Sequence, residues 1–244
     1  MFNFLLLALI SLFAFSFLPA KASEKVDILV LQQDSALLGL GTTVELGPDF
    51  IQVNAKASGL TAVARAPLWE VFIVRPSAKI YFPVPYKRAC SMVSLLGTGG
   101  SMVPSCTFKL PSKHSEFERK GNRFFEYRFP GETLTSSYLS DSMAGRKEVV
   151  EYFGLITLQK NLPEQESVIL SKLLSLPPAK GIPYSLLRYH KTLPCKGSIA
   201  TRSMSVVQGR RPDFGFLEKF KRAAKIENVL INDASEQVIE EFLK

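Results

Sequence analysis

The sequence predicts an α+β protein that is mainly β, built on one curved antiparallel sheet with a few helices. Short segments that alternate apolar and polar residues recur between Thr42 and Val84, and turn residues separate them. Further segments of the same kind follow in the second half of the chain. The clearest helical patterns are Pro163–Leu176 and a short C-terminal segment that begins at Asp233. Strands joined by such short connections favour an antiparallel meander.

The meander is predicted from five segments: TTVEL, FIQVNAK, LTAVARA, WEVFIVR and KIYFPV. Glycine, proline and small polar residues lie between them, and these residues favour turns. In the fourth segment the alternation puts one set of side chains on a common face: Trp69, Val71, Ile73 and Arg75. A half-solvated sheet, or a sheet curled around a ligand, agrees with this pattern.

The second half is predicted to contain further strands and two helices. NRFFEYRF, YSLLRYHKT and SIATRSMSVVQ are typical of strands, whereas RKEVVEYFGLITL fits a strand or a helix. Pro163 suits a first helical position, and the acidic residues that follow it favour the positive end of the helix dipole. Asp233, with Glu236 three residues later, predicts the start of a C-terminal helix.

The first residues predict a cleavable signal peptide. Residues 2–18 are almost purely apolar, and Ala20-Lys21-Ala22 is a small-x-small cleavage pattern. The alternative is a membrane anchor, but the run is shorter than the roughly 20 residues that a spanning helix needs. We expect cleavage after Ala22, which leaves one β-rich domain, residues 23–244, in the periplasm or secreted.

The charge balance is basic but dispersed. Thirty Lys and Arg against 22 Asp and Glu give a net charge of +8, and removal of Lys21 lowers it by one. Such a balance favours transient contact with anionic membranes or acidic polymers. Because the basic residues do not cluster, we predict no nucleic-acid partner.

Three cysteines follow the predicted cleavage site: Cys90, Cys106 and Cys195. An oxidising compartment would allow one disulfide and leave one thiol. Cys90–Cys106 is the pairing we predict, and three unpaired thiols are the alternative. No Cys-x-x-Cys spacing is present, so the cysteines do not indicate zinc.

The residue patterns do not indicate an enzyme. His114 and His190 are the only histidines, and neither lies in a recognisable catalytic motif. No Gly-x-Ser-x-Gly elbow occurs, and the glycine-rich residues 97–101 lack the lysine of a phosphate-binding loop. We predict no catalytic residue, no metal and no cofactor; an exported hydrolase with dispersed catalytic residues is the alternative.

Large aromatic side chains recur on the predicted strands and are candidates for binding an apolar ligand. The predicted set is Trp69, Phe72, Tyr81, Phe82, Phe125 and Tyr127. A curved sheet lined by such residues could enclose an apolar molecule. The alternative is that they form an ordinary core, because both cases put the same residue types on the same face.

The stretch Ala66–Tyr86 resembles a segment of the LolA/LolB-like lipoprotein carriers. The matching residues are Ala66, Pro67, Trp69, Val71, Arg75, Pro76, Lys79 and Tyr81. The preceding Val44–Arg65 resembles the strand pair before that segment, and Asp213–Leu230 is similar to the closing segment of related exported proteins. The sequence departs from the closing pattern where Glu218-Lys219 replaces a Pro-Gly turn.

The resemblance implies a half-barrel whose concave, apolar side is covered by helices and holds lipoprotein acyl chains. We therefore predict an exported, non-enzymatic carrier for an acyl chain, a lipid or a lipoprotein. Besides the hydrolase, an envelope interaction protein that docks through edge strands or the C-terminal helix is an alternative.

Overall fold

A computed structural model describes residues 25–35, 38–91, 114–130, 150–174, 176, 179–190, 196–226 and 229. The predicted signal peptide and the predicted C-terminal helix lie outside these ranges and stay predictions. No helix within these ranges is long and apolar enough to cross a membrane.

The described residues form one sheet of twelve strands. These are β1 (Lys25–Ser35), β2 (Gly39–Leu46), β3 (Phe50–Ala55), β4 (Leu60–Arg65), β5 (Glu70–Arg75), β6 (Ile80–Val84), β7 (Ser115–Arg119), β8 (Asn122–Pro130), β9 (Val150–Leu158), β10 (Ile182–His190), β11 (Lys196–Arg210) and β12 (Lys221–Arg222). Across the sheet they run β12-β6-β5-β4-β3-β2-β1-β11-β10-β9-β8-β7. Neighbours are antiparallel, except that the two-residue β12 runs parallel to β6.

The predicted meander is confirmed as β2 to β6. Each strand pairs in register with the next, as in Val44 opposite Val53 and Ala62 opposite Ile73. The turns after β3, β4 and β5 each contain a residue with a positive φ, and Gly59 supplies the first at +64°. Trp69 was expected at the start of the fourth strand; it lies in the turn before β5 instead, with φ +51°.

The centre of the sheet is formed by a strand that the sequence patterns did not single out. β1 pairs with β2 on one side and with the long β11 on the other. A strand and a helix both fit the sequence RKEVVEYFGLITL. The part of it that the structure describes is the strand β9. It lies between β8 and β10, so both of its edges are paired.

Within the described ranges, three short helices are complete: α1 (Tyr86–Ser91), α2 (Glu164–Leu173) and α3 (Phe216–Lys219). α2 confirms the predicted internal helix, although Pro163 is its N-cap rather than its first residue. α2 packs on β3, β10 and α1, and its apolar side chains Ile169, Leu170 and Leu173 are fully buried. This face of the sheet, which α1 and α2 cover, is called the helix face below.

The helix face contains the main core. Alternating residues of successive strands meet there, for example Leu31, Val44, Val53, Ala62 and Ile73. Arg75 follows the same alternation and is buried at the end of β5, as the sequence pattern predicts.

The opposite face, called the outer face, is covered over β4 to β6 by the segment 211–222. Phe214 and Phe216 pack edge-on against Phe72, with ring centroids 5.4 and 6.0 Å apart. The Nε of Arg211 donates to Asp49 Oδ1 at 2.9 Å and ties the start of this segment to the β2–β3 turn. On the outer face of this half, Val63 and Val74 are therefore buried and Phe72 and Tyr81 are partly buried.

The sheet is mainly antiparallel, as predicted, but it is neither closed nor strongly curled. The sheet therefore lacks the strong curvature that the predicted half-barrel requires. The covered outer face supplies a physical reason. Val63 and Val74 point away from the helix face and are nevertheless buried, so this half does not need to curl to bury its apolar residues.

Candidate functional site

Two of the predicted ligand-binding residues, Trp69 and Phe82, lie in the core of the helix face. Each is less than a tenth exposed. The guanidinium of Arg88, on α1, lies 5.5 Å from the centre of the Phe82 ring. In this structure both side chains have the surroundings of core residues.

Phe125 and Tyr127 lie on the same face at the other end of the sheet. The His114 ring packs against both of them, with centroid distances of 4.8 and 5.2 Å. Burial raises the pKa of Tyr127 above its ordinary value of 10.0. The phenol therefore stays protonated across the physiological pH range.

Phe72 and Tyr81 lie on the outer face, where Phe216 contacts both rings. The sheet thus separates the six predicted residues into two groups on the helix face and one on the outer face. The structure does not bring them together into one cavity, and none lines the clefts described below. Their role in binding stays a prediction.

An open cleft lies on the outer face over β7 to β11 and is called the outer cleft. Its volume is about 640 Å³, within the range typical of small-molecule sites. Aromatic rings form one wall: Phe117 stacks on Phe124 at 5.4 Å, and Phe124 meets Tyr184 edge-on at 5.0 Å. The other apolar lining residues are Ile156, Leu187, Ala200 and Met204.

Basic residues surround the apolar lining of the outer cleft. Arg119 and Lys120 are exposed at the β7–β8 turn, and neither forms an ion pair within the described ranges. Arg202, on β11, is paired with Asp34. The cleft thus combines an aromatic wall with two cationic groups that can contact an anion, and the rest of its lining includes four polar residues: Asn122, Ser185, Thr201 and Ser203.

A second cleft of about 540 Å³ adjoins the outer cleft and shares Asn122 and Met204 with it. Leu29, Leu158 and Val206 contribute its apolar side chains. Val206 is 63% exposed although its cross-strand partner Leu29 is buried.

The outer cleft was not predicted from the sequence. Phe117 lies between Glu116 and Glu118, in a stretch that reads as a solvated strand or loop. The available signal was the Lys120-Gly121 turn, where both residues have a positive φ, as two-residue hairpins require. Recognition of that hairpin would have put Phe117 opposite Phe124.

The described residues contain no group of three or more His, Cys, Asp or Glu side chains that could hold a metal ion. His114 Nε2 lies 3.4 Å from Glu116 Oε1, and the imidazole ring packs against Phe125 and Tyr127. The side chain of His190 is not among those described. The hydrolase alternative therefore stays a prediction.

Of the predicted disulfide, only Cys90 lies in the described ranges, half-buried in α1. Cys106, Cys195 and the glycine-rich residues 97–101 lie outside them.

Comparison with known proteins gives no support for the resemblance seen in the sequence. No protein-family model matches this chain, and no curated protein matches it significantly.

Proposed function

We propose that this protein is an exported, non-enzymatic binding protein for an amphiphile that carries an acyl chain and an anionic head group. The outer cleft carries this proposal, because it joins an apolar lining to exposed cationic residues. The acyl chain would lie against Phe117, Phe124 and Leu187. The head group would contact Arg119 and Lys120 at the rim.

The energetics of such binding need no special chemistry. Each methylene group removed from water contributes about 0.8 kcal/mol, so a few buried methylenes give measurable affinity. The cationic rim adds attraction for an anionic head and directs it toward the solvent end of the cleft. The net charge of +7 that remains after removal of Lys21 favours approach to anionic membranes, where such amphiphiles occur.

We expect saturable binding of a fluorescent fatty acid that Phe117→Ser weakens about tenfold. Phe117 is 38% exposed, so its loss should remove ligand contact without leaving a core cavity. A tenfold change corresponds to about 1.4 kcal/mol, comparable with burial of part of an aromatic ring. Fluorescence titration of the chain from residue 23 onward measures this.

Leu68→Ser is the matched control. Leu68 is 77% exposed and lies in the turn before β5, away from the outer cleft, so affinity should not change. The double variant Arg119→Ala/Lys120→Ala should weaken binding of the acid but not of the corresponding fatty alcohol. Absence of saturable binding, or equal effects of the Phe117 and Leu68 variants, would contradict the proposal.

Export has its own test. We expect the full chain to be recovered outside the cytoplasm with Ser23 as its first residue, as shown by intact mass. Ala22→Arg should block cleavage because signal peptidase needs a small residue at this position, whereas Ala22→Gly should preserve cleavage. Recovery of the wild-type chain with residues 1–22 still attached would overturn this prediction.

A further inference from the structure

A buried carboxyl group at the start of α2 is not explained by the fold. Glu166 is the third residue of α2 and is 1% exposed. A glutamate at that position ordinarily accepts a hydrogen bond from the backbone N–H of the N-cap residue. Here the N-cap is Pro163, which has no N–H. Glu166 Oε1 has no hydrogen-bond partner within the described part of the chain.

Glu166 lines a cleft of about 420 Å³, called the Glu166 cleft. The cleft lies between the start of α2, the β2–β3 turn and the first residues of β1 and β10. Its apolar lining comes from side chains on each of these parts: Val26, Leu46, Leu162 and Ile182. It shares only Lys160 with the cleft beside the outer cleft and no residue with the outer cleft itself.

Besides Glu166 itself, one acidic and one basic residue line the cleft, Asp27 and Lys160. Asp27 lines the cleft from β1, and its Oδ1 accepts a hydrogen bond from Gln208. Lys160 precedes α2 and lines the cleft as an exposed side chain. Asp49, in the β2–β3 turn, acts on Glu166 electrostatically but is held by Arg211 and Arg65.

These surroundings bring the pKa of Glu166 close to neutral pH. Burial raises the pKa of Glu166 from 4.5 to about 7, Lys160 lowers it, and Asp49 raises it further. A buried acceptor without a donor costs about 1–3 kcal/mol. A ligand that supplied an N–H donor at Oε1 would recover that cost, and a cationic donor would recover more.

We propose that the Glu166 cleft is a binding site for a small aliphatic amine in its ammonium form, with Glu166 as the buried acceptor. The two lining carboxyl groups, on Glu166 and Asp27, outnumber the one lining lysine, which favours a cation over an anion. The aliphatic stem would pack on Leu46, Leu162 and Ile182. This site is independent of the amphiphile proposed for the outer cleft.

The test uses n-butylammonium as the probe and follows amide chemical shifts of the protein at pH 8. We expect saturable shifts around residues 26–27, 46–48 and 160–166. Butyrate and 1-butanol share the stem but lack the cationic donor, and they should bind at least tenfold more weakly. Equal binding of butyrate, or no saturation with butylammonium, would overturn the proposal.

Glu166→Gln should weaken butylammonium binding at least tenfold, because the amide cannot provide a full negative charge. Glu164→Gln is the matched control: it removes the same charge from the same helical turn at an exposed position. Equal affinity of the Glu166 variant and the wild type would overturn the assignment. Fatty-acid binding should be the same in both variants, so the two proposed sites can fail independently.

The pH dependence supplies a second readout. The amine stays protonated from pH 6 to pH 8, while the ionised fraction of Glu166 falls from about nine-tenths at pH 8 to about one-tenth at pH 6. We therefore expect wild-type affinity to fall about tenfold over this range. The residual affinity of Glu166→Gln should not change with pH, and a wild-type affinity independent of pH would count against the site.

Discussion

Replacing Gly181 with alanine is expected to lower the free energy of unfolding by about 3 kcal/mol or more. Gly181 precedes β10 and has φ +85°, a conformation that a residue with a Cβ atom adopts only at a cost. An alanine Cβ atom there would lie 2.2 Å from the carbonyl oxygen of Leu158, which belongs to the backbone of β9.

The added Cβ atom has two costs, one from the backbone conformation of residue 181 and one from the contact with Leu158. The positive φ alone costs about 1–2 kcal/mol, and relief of the clash would displace the β9–β10 pair. That pair begins with Ile182 opposite Leu158, and Thr157 Oγ1 donates to the Lys180 carbonyl at 2.7 Å beside it. A movement of Leu158 would therefore also disturb this hydrogen bond.

Gly59→Ala provides the control. Gly59 has φ +64°, but an added Cβ atom would meet no atom within 4 Å. It should cost only the conformational strain, about 1 kcal/mol. Urea unfolding of both variants measures the difference, and a Gly181 variant as stable as the Gly59 variant would show that β9 yields to the added atom without cost.

Glu166→Gln should stabilise the fold at pH 8, by about 2–3 kcal/mol, and have little effect near pH 4.5. The pKa of Glu166 is raised to about 7 in the folded chain, so between pH 4.5 and 7 the native state holds a proton that the unfolded state has released. The protonated carboxyl of Glu166 therefore makes its full contribution to the free energy of unfolding below pH 4.5, and this contribution is lost as the pH rises through 7. Glutamine cannot ionise and escapes that loss.

The measurement is urea unfolding of the wild type and the variant at pH 4.5, 6 and 8. The stability gap should widen with pH and level off above about pH 8. Glu164→Gln, at an exposed position, should show no such widening. A gap that is constant with pH, or a variant less stable than the wild type at pH 8, would contradict the buried-carboxyl interpretation.

The sequence predicted the strands whose burial follows from local alternation and missed those whose burial depends on distant partners. β2 to β6 alternate clearly and have short turns, so their pattern was sufficient. β1 contains Gln33, which is buried because its Nε2 donates to the Pro183 carbonyl at 2.9 Å and to Thr201 Oγ1 at 3.0 Å. Those partners lie far along the chain, and the local sequence does not indicate them.

The candidate sites were harder to predict for a related reason. Alternation shows that Phe72 and Trp69 lie on opposite faces, but it does not show what covers either face. The cover over Phe72 is Phe214, from a segment far along the chain. Glu166 was predicted as a favourable charge at a helix start; its burial arises only because the β2–β3 turn and the first residues of β1 and β10 close around it.

The pairing of β1 with β11 also governs when this sheet can be completed. Lys25 of β1 lies opposite Arg210 of β11. The second edge of β1 therefore stays unpaired until β11, one of the last strands, has been made. Until residues 196–210 have left the ribosome, β1 and β10 each lack a neighbour, and the nascent chain has no complete sheet to close upon. Such late closure keeps the sheet incomplete through most of the synthesis of the chain.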